Sequence, residues 1–161
     1  MRRIIIIFVV LILAILSDVF LYFYSSRWEP FRCNTHIKSH INIKDGQKLE
    51  LNLDINAIAV HEGSSELLLV GSLKGLNQDY VISRRVFLSI KQSDFNAFTN
   101  TMISREKRHP IDNVPDDVWQ KYVLPETPGV AFYTQTKQLD KNAFLIKGLT
   151  NPFFVCTRTE H

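Results

Sequence analysis

His36 and His40 stand four residues apart, the spacing at which one helix face would offer two imidazoles to a single metal ion. The residues around them alternate in polarity, which is a strand pattern. Four residues of strand span about 13 Å, too far for one ion. The pair therefore reads as part of a solvated face. Asp116 and Asp117 could divide acid and base work between two carboxylates. They follow Pro115 at the head of a short helical pattern, Pro115 to Tyr122, where negative charge meets the positive helix end. No G-x-S-x-G elbow, P-loop, H-E-x-x-H motif or Cys–His arrangement occurs. The expectation is a protein that is not an enzyme and uses no metal and no cofactor.

Two further sites are more informative. Cys33 and Cys156 are the only cysteines, and in an oxidising compartment they read as one disulfide tying the first strand to the last. Paired zinc-type spacing is missing. Arg84 shares its predicted strand face with Tyr80, Ile82, Val86 and Leu88, an otherwise apolar row. A guanidinium there needs a buried carboxylate, or it lines a cavity that receives an anion. In the second case those five residues are the candidate ligand contacts. A bulge could also remove the anomaly by turning Arg85 inward.

The elements that must position these residues are mostly strands. Thr35, Ile37, Ser39, Ile41 and Ile43 alternate with His36, Lys38, His40 and Asn42. Asp45-Gly46 supplies a turn, and Leu49, Leu51, Leu53, Ile55, Ala57 and Ala59 continue the period-two pattern, a hairpin signature. Further strands are expected at 66–76, 79–92, 95–105, 130–138, 143–149 and 153–158. Leu67, Leu68, Leu69 and Val70, and again Phe153, Phe154 and Val155, are apolar on both faces. Either the domain covers both sides, or one face meets a partner. The fold class is mainly β: an antiparallel sheet curled toward a barrel or sandwich, with one short helix.

Ahead of this domain, Ile4 to Leu16 is unbroken apolar sequence, and Val19 to Tyr24 resumes it after Ser17-Asp18. A helix over residues 4–24 rises roughly 30 Å, one hydrocarbon core. Arg2 and Arg3 place its N-terminus in the cytoplasm, with tyrosines and Trp28 in the outer interfacial belt. A cleaved signal peptide is the alternative, but no small-x-small site follows Leu16. Asp18 reads either as a partner contact within the span or as a residue at its wet boundary. The expected plan is a cytoplasmic tip (1–3), a transmembrane helix (4–24), a linker (25–32) and a periplasmic β domain (33–161) in a bacterial inner membrane. Without Arg2, Arg3 and Asp18, totals of 19 basic and 16 acidic residues fall to 17 and 15. That balance gives no footprint for nucleic acid.

Several segments together resemble the FidL-like bacterial membrane proteins. They are Phe31-Arg32-Cys33, Ser83-Arg84-Arg85-Val86, the Asp-Asn-Val-Pro-Asp run before the helix, and the closing Pro-Phe-Phe-Val-Cys-Thr from 152 to 157. The resemblance implies a periplasmic partner of a ToxR-type transmembrane transcription regulator, of the ToxS and VtrC kind. It further implies a heterodimer forming a lipocalin-like barrel that binds an amphipathic anion such as a bile salt and controls virulence genes, including type III secretion. A periplasmic chaperone or scaffold with no small-molecule ligand is the other reading.

Overall fold

In the computed structural model, residues 2–25, 31–43, 48–61, 63–75, 78–95 and 97–159 are described. The helix α1 (Arg2–Ser25) precedes eight strands: β1 (Phe31–Asn42), β2 (Lys48–His61), β3 (Ser64–Lys74), β4 (Tyr80–Gln92), β5 (Thr99–Arg108), β6 (Ala131–Asp140), β7 (Ala143–Lys147) and β8 (Pro152–Arg158). A second helix, α2 (Asp116–Tyr122), lies between β5 and β6. Each strand pairs antiparallel with the next, and β8 returns to β1, so this chain closes a barrel by itself. The Asp45-Gly46 turn, most of the linker and the side chains of Tyr22, Tyr24 and Trp28 lie outside the described residues.

The hairpin pattern fixes the register of the first two strands. Cys33 faces Ala57, Ile37 faces Leu53 and Ile41 faces Leu49, so each apolar row points inward together. Across the next pair, Gly71 sits against Leu53, where a Cβ would run into the Asn52 carbonyl oxygen and lie 2.9 Å from Leu53 Cα. A strand glycine marks close backbone approach, as it does here. β1 begins at Phe31, so Phe31 and Arg32 belong to the barrel instead of the linker. β5 starts at Thr99 and not near residue 95: Phe98 N–H donates to Phe95 O in a turn, and Ala97 takes a left-handed φ of 67° that a strand cannot carry.

Two packed plugs fill the barrel ends. At one end, α2 and its flanks bring Val114, Trp119, Val123 and Leu124 onto Leu49, Leu73, Ile82 and Val86. At the other, the Cys33–Cys156 disulfide forms as expected and packs with Ala57, Phe31, Phe144 and Phe154. It bridges the seam, where β1 and β8 share only the Cys33–Arg158 and Asn34–Thr157 pairs. From Thr35 to Asn42 the outer edge of β1 has no strand partner among the described residues.

Among the described residues, no helix is long and apolar enough to cross a membrane. The described apolar side chains of α1 run from Ile5 to Leu21, about 25 Å of helix rise. All are exposed, the large ones by between 46% and 69%. Ser17 Oγ donates to the Leu13 carbonyl, 2.8 Å away, which satisfies that hydroxyl within the helix.

Candidate functional site

Arg84 is inward-facing and 3% exposed, and it takes the first of the alternatives open to it. Its Nε donates to Asp112 Oδ2 at 3.2 Å, Nη1 to Asp116 Oδ1 at 2.9 Å and Nη2 to the Val114 carbonyl at 2.7 Å. The guanidinium also lies 4.5 Å from the Trp119 ring centroid, a cation–π contact. Asp112, with its side chain fully buried, accepts from the backbone N–H groups of Ser83 and Val114 and pairs with Arg108 Nε at 3.1 Å. A one-residue irregularity in β5, where Phe87 faces Arg105 but Leu88 faces Ile103, turns Glu106 toward Arg84 at 3.8 Å. The bulge alternative thus resolves differently: Arg85 stays outside, bound to Glu66 at 2.8 Å. Arg84 is a structural clasp between β4, α2 and the connection from β5 to α2, with its donors already committed.

Tyr80, Ile82 and Val86 are buried in the same α2-capped plug. Of the five candidate ligand contacts, Leu88 alone lines the barrel's interior cavity. The row on β4 passes from a filled end of the barrel into an unfilled middle.

The middle is a cavity of about 330 Å³. Ile37, Leu51, Leu53, Ile55, Leu67 and Leu69 form its wall on β1 to β3. Polar groups gather on the opposite side, where Thr101 on β5 and Thr134 and Thr136 on β6 reach it. Thr101 Oγ1 and Thr134 Oγ1 are 2.6 Å apart, and Thr99 Oγ1 lies 3.0 Å from Thr134 Oγ1. The remaining hydroxyl at the lining, Ser65, donates to the Ile58 carbonyl at 3.2 Å. Pro125 and Glu126, from the connection after α2, and Pro152 and Phe153, at the start of β8, complete the lining where it reaches the surface. Glu126 is the only ionisable residue of this lining.

The two doubly apolar strands divide between inside and outside. Leu67, Leu69 and Phe154 face the interior, so they offer no outer surface to a partner. Phe153 bridges the two, 38% exposed yet part of the lining. Val70 at 41% and Val155 at 47% are exposed, and Leu68 is half-buried on the outer face.

The family model described as FidL-like putative membrane protein matches residues 71–156. That is more than half of the chain. The chain belongs to the FidL-like family. The matched stretch of this FidL-like chain runs from Gly71 in β3 to Cys156 in β8, and so holds the whole Arg84 clasp, the threonine wall and Glu126. No curated protein matches the chain. Asp112 is not legible in the sequence because it acts at long range, meeting a residue 28 positions away, and Glu126 because only the closed barrel brings it to the cavity lining. The one signal for Asp112 was its place in the Asp-Asn-Val-Pro-Asp run.

Proposed function

We propose that this chain is a membrane-anchored periplasmic co-receptor that pairs with a ToxR-type transcription regulator and holds an amphipathic small molecule inside its barrel. The observation that carries the reading is the apolar chamber of about 330 Å³, open near Glu126 and Phe153, within the range of small-molecule sites. The resemblance supplies the regulator as partner, bile salts as the instance of ligand, and control of virulence genes as the output. Anchoring by residues 4–24 accounts for α1, since an apolar helix exposed on all sides is stable where hydrocarbon surrounds it. A cytoplasmic start is favoured by Arg2 and Arg3, and the disulfide suits an oxidising compartment on the other side. The free edge of β1, together with exposed Val70 and Val155, offers the regulator both backbone hydrogen bonds and apolar surface.

The test is co-purification of the full chain from membranes with a co-expressed ToxR-type regulator. Retention of the regulator, and its loss when a proline replaces Lys38 on the β1 edge, is the expected result. Failure to retain the regulator, with both proteins inserted and folded, would overturn the pairing.

A further inference from the structure

We infer that the barrel end bearing the disulfide rests on the periplasmic surface of the bilayer that holds α1, with Phe95 and Leu139 dipping into its headgroup layer. This rests on the anchoring part of the reading above and adds the lipid surface as a partner of the barrel itself. Chain length decides which end meets lipid. Five residues separate Ser25, the last of α1, from Phe31, the first of β1. That connection spans at most about 20 Å, whatever its conformation. β1 starts at the disulfide end, β8 finishes there against Cys33, and the β2–β3, β4–β5 and β6–β7 connections all return there. The clasp of Arg84 with α2 caps the far end.

Two of the returning connections present a large apolar side chain. Between β4 and β5, Phe95 is 57% exposed. Its ring meets Tyr133 edge-on with centroids 5.2 Å apart, and Ser93 Oγ accepts its N–H at 3.1 Å, so the turn holds it in place. At the end of β6, Gln138 faces Phe144 and Asp140 faces Ala143. Leu139 is the extra residue of that irregularity, 51% exposed. Lys91, Lys137 and Lys141, all exposed, belong to the same connections and strand ends. A lysine lays its methylene stem along apolar surface and keeps its ammonium in water or among headgroups. Apolar side chains set among lysines are the composition of a surface that lies in a membrane interface. Docking this way leaves the cavity opening clear. It lies by Pro152 and the connection entering β6, at the ends of β8 and β6 remote from those turns.

The full chain in nanodiscs of phosphatidylethanolamine and phosphatidylglycerol, with and without a gadolinium-headgroup lipid, tests this by NMR. With the gadolinium lipid, the Leu139 methyl and Phe95 ring signals should lose more than half their intensity. The methyl of Ile111, equally exposed but at the clasp end, should keep most of its own. Phe95→Ser removes an exposed ring and leaves the core intact, and it should shrink the Leu139 loss at least twofold, since a tether alone does not hold the end down. Equal losses at Ile111 and Leu139, or a Leu139 loss that Phe95→Ser leaves unchanged, would overturn the docking and leave the anchor standing. Failure of the folded chain to enter nanodiscs would overturn both.

Discussion

Replacing Arg84 with Ala tests how the barrel is held to α2. The guanidinium is 3% exposed and its principal partner, Asp112, has a fully buried side chain. Removing one member of a buried pair costs about 3–5 kcal/mol, because the other charge remains in a dry site. Here the carboxylate keeps two backbone N–H donors, from Ser83 and Val114, and the half-exposed Arg108. Those residual partners place the expected loss near the lower end, about 3 kcal/mol. With a urea m value of about 2 kcal/mol/M, the midpoint should fall by about 1.5 M. Asp112→Asn should cost less than Arg84→Ala, since Arg84 retains Asp116 and the Val114 carbonyl. Because Arg84 is not part of the cavity lining, Arg84→Ala should weaken charged and uncharged ligands alike. Urea unfolding followed by tryptophan fluorescence, with the disulfide kept oxidised, reads the first quantity. A loss below 1 kcal/mol, or a selective loss of anionic ligand binding, would refute the clasp and restore Arg84 as a ligand contact.

Three other outcomes follow from the same geometry. Cys33→Ser should lower stability by about 2–5 kcal/mol, the cost of releasing a long covalent loop, and should speed amide exchange at Thr159, whose N–H donates to Arg32 O across the seam; an unchanged melting temperature would contradict this. Gly71→Ala should destabilise by at least about 1–3 kcal/mol, since its Cβ meets backbone of β2 that cannot swing aside, as denaturant titration would show. Glu50 has its carboxyl held below the ordinary range, first by a side-chain hydrogen bond from Lys38 and then by that ammonium's charge. The stability it lends is present above the ordinary carboxylate range and is lost as pH falls through the lowered value. Lys38→Ala should raise the Glu50 pKa in an NMR titration, and no movement would remove the pair from the account.

The walls of the barrel were far more legible than its contents. Period-two alternation in β1 and β2 reports directly which side chains face inward, because a strand turns successive residues to opposite faces. The two cysteines announced their pairing by number alone: two thiols with no other partner. Arg84 announced an anomaly but not its answer, which depends on a chain return that places Asp112 beneath it. The irregularity facing Phe87 and Leu88 could not be read in advance, although it alone brings Glu106 to the arginine. Leu67, Leu69 and Phe154 looked like surplus apolar surface since a hydropathy pattern does not distinguish a filled interior from an empty one. A cavity is a property of volumes across all eight strands, and no segment of sequence carries it.

The central claim is that the barrel interior receives an apolar molecule, and filling that interior tests it most directly. Ala59 lines the chamber and is half-buried, so Ala59→Phe adds a ring where a ligand would sit. The neutral dye N-phenyl-1-naphthylamine, titrated into the disulfide-bonded barrel segment 31–161, should brighten saturably with the wild-type sequence. It should stay dark with Ala59→Phe, provided that variant melts within a few degrees of the wild type. Equal brightening by both proteins would place the dye elsewhere, and no brightening by the wild type would contradict the ligand-binding account.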